Sequence, residues 1–246
     1  MVWDEITAVT DEDMALINRF RPLGAAPLTA GEVASIPIVV ADTTIGRSGD
    51  RWDRREIETM VRLVVGNAFM PDHDWDEVMG IEGKIYKSAI ARIDPSAPSL
   101  DAIGLRGDNL QAALADGGIW ACVAWAYLPS DSPWLDKIRF GAQKISLGGF
   151  YISHLECPIC KTSFSDPNCQ GAGHVPKTPD MRDPNTLSMW ESAGFTIVPY
   201  AQMRGLYSSC EVSIVFAGMN PTATVITEEI APFITIEASA SERRVA

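Results

Sequence analysis

The sequence contains no long apolar run and has few basic residues. No run approaches the roughly 18 apolar residues that a membrane-spanning helix needs. The first residues are acidic, whereas a secretory signal would place a basic region before an apolar stretch. These absences predict a soluble, intracellular protein with no membrane partner. The 20 Lys and Arg residues against 32 Asp and Glu give a formal net charge of −12, which argues against nucleic acid as a partner because phosphate contacts need a basic face.

Histidine and cysteine are also scarce, with 3 and 5 copies in 246 residues. Three of the cysteines are clustered, and in a reducing compartment a cysteine cluster beside a histidine favours a metal site over disulfides. The remaining two, Cys122 and Cys210, are interpreted as ordinary buried small residues.

Apolar periodicity predicts alternating strands and helices. Strands are expected at 35–43, 83–93, 119–128 and 208–216, and helices at 54–65 and 108–118. Several strands with helices between them predict an α+β domain or a partly closed barrel. Periodicity alone leaves the strand order open.

The predicted organisation has three parts: an N-terminal segment (1–34), a main domain (35–225) and a C-terminal tail (226–246). Residues 155–205 are interpreted as an insertion in the main domain, because strand-like sequence stops before them and resumes after them. From about residue 175 onward this insertion has no clear periodicity.

The insertion opens with a spacing typical of metal sites, Cys157-x2-Cys160-x8-Cys169-x4-His174. Zinc prefers four tetrahedral sulfur or nitrogen ligands, and a Cys-x-x-Cys turn presents two thiolates from one bend. Four protein ligands with no open position predict a structural rather than a catalytic Zn²⁺ in a knuckle over 157–174. The alternative is a fortuitous cysteine cluster. His154, at a strand end, is a weaker candidate ligand.

Three further residues have types suited to nucleophilic catalysis. A serine nucleophile needs a base within hydrogen-bond reach and a third group that orients the base. Ser146 lies in the strand-like run "KISLGGF", and His73 is the histidine farthest from the cysteine cluster. Glu211 lies in the apolar run "SSCEVSIVF", where a carboxylate needs a partner. Each residue alone also has an ordinary structural explanation, so residue types leave the question open.

Three segments in order resemble a known family. "DHDW…MGIEGKIY", "QKISLGGFYI" and "LYSSCEVSIVFAGMNPTATV" are similar to the prohead (capsid maturation) serine proteases of tailed bacteriophages, a family with a herpesvirus-assemblin-like fold. The resemblance covers about residues 35–225. It implies an α+β fold built on a partly closed, mostly antiparallel β-barrel with flanking helices and, in this chain, a zinc-knuckle insertion.

The resemblance also implies roles for individual residues. Ser146 would be the nucleophile, His73 the general base, and Glu211 the group that holds the histidine tautomer. Backbone N–H groups of the turn that follows Glu211 would meet the oxyanion; this turn comprises Ala217, Gly218, Met219 and Asn220. The chain departs from the family in reading "SLGGF" for "SiGF", where the second glycine predicts a bulge, and "AGMNP" for "PANP".

The expected function is therefore a serine endopeptidase of prohead maturation. It would cleave capsid and scaffold proteins, and itself, within an assembling procapsid or virion in the host cytoplasm, as a homo-oligomer or assembly component. The alternative is a catalytically inactive, protease-like structural component of a virion that zinc stabilises. A third interpretation, a zinc-knuckle binding module, is disfavoured by the acidic charge.

Overall fold

The computed structural model describes residues 8–71, 83–96, 108–140, 144–215 and 223–239. The helices of this part of the chain are α1 (Asp11–Asn18), α2 (Arg54–Leu63), α3 (Asp108–Leu114), α4 (Pro133–Arg139), α5 (Pro167–Gly171) and α6 (Pro184–Ser192). Its strands are β1 (Val33–Asp42), β2 (Asp50–Arg51), β3 (Ala68–Pro71), β4 (Gly83–Ile93), β5 (Ile119–Pro129), β6 (Lys144–Gly148), β7 (His154–Glu156), β8 (His174–Pro176), β9 (Thr196–Val198), β10 (Ala201–Arg204), β11 (Glu211–Val215), β12 (Thr224–Val225) and β13 (Ile234–Ser239).

Seven strands form a closed barrel in the order β4-β3-β11-β6-β12-β1-β5. The barrel closes because β5 also pairs with β4, from Lys84 opposite Tyr127 to Ile93 opposite Ile119. Only β3 and β11 are parallel, and the other neighbours in the barrel are antiparallel. The predicted α+β fold with a mostly antiparallel barrel is confirmed, and its closure is complete. β13 pairs with β4 outside the ring.

The barrel interior holds the main hydrophobic core. One cluster of buried apolar side chains includes members from all seven strands, such as Ile38, Phe69, Ile85, Ala124, Ile145, Val212 and Val225. The cluster members that come from the strands fill the barrel interior, and the cluster extends beyond the barrel to residues such as Trp52 and Met203. Because successive strand residues point to opposite faces, the residues between these members face outward.

Helix α2 adds a second layer to this core. It begins at the cap residue Asp53, whose carboxylate accepts a hydrogen bond from the Glu56 N–H. Ile57, Met60 and Val61 recur at helical spacing and pack into the barrel core cluster.

Among the described residues, no helix is long and apolar enough to cross a membrane.

The insertion has regular structure of its own. β10 pairs with β7 on one side and with β2 on the other, which joins the insertion to the segment that precedes α2. β8 and β9 form a separate parallel pair. The stretch without periodicity after residue 175 therefore contains three short strands and α6. These strands are three or four residues long, too short to carry a detectable alternation.

Candidate active site and metal centre

Ser146 and Glu211 lie on neighbouring strands of the barrel. β6 and β11 pair so that Ser146 is opposite Ser213 and Gly148 is opposite Glu211. Their strand neighbours, such as Ile145 and Val212, fill the barrel interior, so Ser146, Ser213 and Glu211 share the outer face. All three are nevertheless buried, with exposed fractions of 6%, 0% and 1%.

Ser213 is a site residue that the sequence reasoning missed. Its Oγ donates a hydrogen bond to the Glu211 carboxylate, which supplies a partner for that buried acid. Among the described residues, the hydrogen bonds join Glu211 to Ser213 and not directly to Ser146. The signal was present in the sequence, because residues i and i+2 of a strand share a face.

β3, the strand that precedes the predicted base His73, pairs with β11, the strand that carries Glu211. β3 runs parallel to β11, with Ala68 opposite Glu211 and Pro71 opposite Ile214. His73 follows the end of β3 in the sequence and lies outside the described residues. The predicted oxyanion turn, which consists of Ala217, Gly218, Met219 and Asn220, follows β11 and also lies outside them.

The second glycine of "SLGGF" turns the chain away from β6. The pairing of β6 with β11 is unbroken up to Gly148, so the predicted bulge is absent from this ladder. Gly149 instead has φ +56°, and a Cβ on it would lie 2.8 Å from the Cys210 Cβ. The position needs glycine because a side chain would meet both an unfavourable backbone conformation and a close neighbour.

The predicted metal ligands come together. Cys157, Cys160, Cys169 and His174 each place one ligand atom within 4.8 Å of all the others. The Cys160 Sγ lies 2.9 Å from His174 Nδ1, and the Cys157 Sγ lies 3.6 Å from the same nitrogen. All three thiols are free, and Cys157 and Cys169 are fully buried. Three thiols and an imidazole at this spacing can bind a metal ion.

Local structure holds the ligands in place. The chain leaves β7 at Cys157 and turns back, with the Cys157 N–H donating to Thr162 O at 2.8 Å and the Lys161 N–H donating to Cys157 O at 2.9 Å. Lys161 completes this turn with φ +60°. Helix α5 carries Cys169, and His174 is the first residue of β8.

The environment affects the thiols unequally. Burial by itself would raise the pKa of Cys157, but backbone N–H groups of Cys160 and Ile159 donate to its sulfur, and the pKa is lowered. Burial, followed by hydrogen bonds and charge interactions with Cys157 and Cys160, raises the pKa of Cys169 to about 12. Crowding of the thiols therefore opposes the ionisation of Cys160 and Cys169, whereas the ionisation of Cys157 is favoured.

Cys122, Cys210 and His154 lie outside the metal cluster and differ in burial. Cys122 is fully buried in β5, and burial raises the pKa of its thiol. Cys210 is exposed, so its predicted burial is wrong; it lies beyond the end of β6, just before β11 begins. His154 is exposed and is not a member of the cluster.

A scan against protein-family models, a search of curated proteins and a search of solved structures each gave no match.

Proposed function

We propose that this protein is a serine endopeptidase in which Ser146 is the nucleophile, His73 the general base and Glu211 the group that orients the base. One observation carries the proposal. Ser146 and Glu211 are buried on the same outer face of adjacent strands, and β3, which leads directly to His73, is the other neighbour of the strand that carries Glu211. The strand order β3-β11-β6 thus supports a triad with Glu211 in the middle strand.

The proposed chemistry is acyl transfer. Ser146 Oγ attacks the scissile carbonyl carbon while His73 accepts the hydroxyl proton, and His73 then gives this proton to the leaving amine as the C–N bond breaks. Water, activated by the same histidine, hydrolyses the acyl-enzyme. Glu211 holds the imidazole tautomer and stabilises the imidazolium. The backbone N–H groups of residues 217–220 would stabilise the oxyanion, typically by about 3 kcal/mol for each donor.

The proposed substrates are capsid and scaffold proteins of a tailed phage, together with the protein itself, within a procapsid in the host cytoplasm. The three ordered sequence segments shared with prohead proteases support this assignment. The net charge of −12 is compatible with it, because an acidic enzyme inside a shell does not compete for nucleic acid.

Co-expression tests the protease. Wild type, Ser146→Ala and Ser88→Ala would each be produced with the capsid and scaffold proteins, and intact masses would be measured. Ser88 is a matched control, because it is a strand serine that is 1% exposed and remote from the site in sequence. Trimming by wild type and Ser88→Ala, with none by Ser146→Ala, supports the proposal. Uncut masses throughout would favour the alternative of an inactive structural component of the virion.

Glu211→Gln tests the assigned role of the acid. The amide keeps the shape but cannot stabilise an imidazolium, so we expect kcat to fall on the order of 10³–10⁴-fold with a small change in KM. An unchanged kcat would assign Glu211 to stability alone.

We also propose that the metal is a structural Zn²⁺ bound by the three thiolates and the His174 imidazole. Four protein ligands complete a tetrahedral zinc site and leave no position for a reactive water. Elemental analysis of the purified protein would be expected to give about one zinc per chain, with loss of zinc in Cys157→Ser and retention in Cys210→Ser. Zinc retained in Cys157→Ser would exclude this ligand set.

A further inference from the structure

Beside Ser146 the barrel closes through its shortest strand. β12 bridges β1 at Ile38–Val39 and β6 at Lys144, and it is only two residues long. Further along, no other described strand joins β1 to β6. The register of β1 against β5 also skips at Val40, and such a bulge bends a strand. A cavity of about 60 Å³ opens between residues 40–41 of β1 and 145–147 of β6.

The other side of this cavity comes from outside the barrel. Trp52 and Phe150 contribute aromatic rings that meet edge to face with centroids 5.4 Å apart. Met203, on β10 of the insertion, completes the wall. The next residue, Arg204, forms an ion pair with Glu156, which directly precedes the metal-cluster residue Cys157. The insertion therefore contributes one side chain, Met203, to the cavity wall.

The chemistry of the cavity restricts what could occupy it. Most lining side chains are apolar, which favours an aliphatic group. The volume is well below the roughly 150 Å³ that accommodates a benzene ring in an apolar cavity. Asp50 also lines it, with its carboxylate hydrogen-bonded to Ser48 Oγ at 2.5 Å. A carboxylate in the wall repels an acidic side chain.

We infer that this cavity is the specificity pocket of the proposed protease and accepts one uncharged aliphatic side chain next to the scissile bond. The inference rests on the proposed function. Ser146 belongs both to the outer face that carries Glu211 and to the wall of the cavity. A peptide whose carbonyl lies at Ser146 Oγ can therefore insert a neighbouring side chain into the cavity between β1 and β6.

Cleavage profiling of a proteome-derived peptide mixture by mass spectrometry tests the pocket. Wild type is expected to cut beside Ala, Val, Leu or Met, and rarely beside Phe, Asp or Glu. Met203→Ala enlarges the pocket and should raise cleavage beside Phe relative to Ala by at least about tenfold. Ala41→Leu fills the pocket and should restrict cleavage to Gly and Ala. Met181→Ala is the matched control, because Met181 is buried in the insertion but does not line the cavity.

A second readout needs no turnover. In Ser146→Ala labelled with ¹³C-methyl methionine, the Met203 signal, assigned through Met203→Ala, should shift on addition of N-acetyl-Ala-Ala-Leu-amide. The Glu analogue should leave it in place. Binding without any cleavage by wild type would refute the protease and retain the pocket as a binding site.

The remaining outcomes overturn the inference. Ser146-dependent cleavage with the same residue preference in Met203→Ala, Ala41→Leu and Met181→Ala would leave the protease standing and refute the pocket. Absence of both cleavage and a Met203 response would refute both. The two proposals therefore fail in distinguishable ways.

Discussion

At the scale of single residues, the variant Ser213→Ala tests whether Ser213 contributes to stability alone or also to catalysis. Removing its hydroxyl leaves the buried Glu211 carboxylate without one hydrogen bond, which should lower the free energy of unfolding by about 1–3 kcal/mol. If Glu211 orients the base, Ser213→Ala should also reduce kcat more than it changes KM. Urea denaturation and steady-state kinetics measure the two effects.

Ser88→Ala provides the control for that prediction. Ser88 Oγ donates to the Val61 carbonyl from a buried position on β4, so its loss should cost similar stability. An equal kcat in the two alanine variants would mean that Ser213 only stabilises the fold.

Lys161 is the second residue whose geometry makes a prediction. Its φ of +60° is a left-handed conformation that costs a residue with a Cβ on the order of 1 kcal/mol. Because binding of the proposed Zn²⁺ would also fold this turn, Lys161→Gly should tighten that binding several-fold, as measured by competition with a chelator. Lys161→Ala keeps the Cβ and should bind zinc like wild type. Equal affinities in the Gly and Ala variants would show that the backbone conformation does not limit binding.

At the scale of elements, apolar periodicity predicted the long strands and the helices α2 and α3, but it missed α1, α6 and the short strands of the insertion. β4 and β5 are eleven-residue strands that are buried at most positions, and their sequences are rich in apolar residues. The strand at 83–93 was predicted at its observed limits. β8, β9 and β10 were not predicted because they have no apolar repeat. Their positions depend on strand pairing and on the metal cluster.

Helix α1 shows how an element depends on pH. Burial alone would raise the pKa of Asp13, but hydrogen bonds from Lys87 and Thr10 outweigh burial and lower it. Since the folded pKa lies below the unfolded value of about 3.9, the stabilisation is present above that pH and is lost as the pH falls through the folded value. The ion pair with Lys87 joins α1 to β4, so acid should release this helix.

The lowered pKa of Asp13 predicts how stability depends on pH. Between about pH 5 and pH 2, the free energy of unfolding of wild type should fall more steeply than that of Asp13→Asn. Asp11→Asn, on the exposed side of the same helical turn, should retain the wild-type slope. Urea denaturation across this range measures all three proteins. Parallel slopes for wild type and Asp13→Asn would show that the ion pair does not govern acid stability.

At the scale of the whole molecule, the sequence indicated the ingredients of the site but not their arrangement. The Cys and His spacing predicted a local cluster because its four ligands lie close along the chain, and these ligands do come together. Ser146 and Glu211 are far apart in sequence and share one face of the barrel only because β6 and β11 pair. Barrel closure likewise depends on the long-range pairing of β4 with β5, which local periodicity does not encode.

The barrel and the metal cluster should unfold as separate units. The barrel core draws side chains from all seven strands and from α2, whereas Cys157, Cys169 and Val198 form a small separate cluster. Because the metal-bound state would stabilise only the latter, a chelator should remove amide protection from β7 and β8 while β1 and β5 stay protected. Hydrogen–deuterium exchange with mass spectrometry resolves these strands. Cys157→Ser should reproduce the chelated pattern without chelator, and Cys210→Ser should not. Simultaneous loss of protection in the barrel would mean that the insertion and the barrel form one cooperative unit. The ion pairs of Arg204 with Asp53 and Glu156 would then be the contacts to test for this coupling.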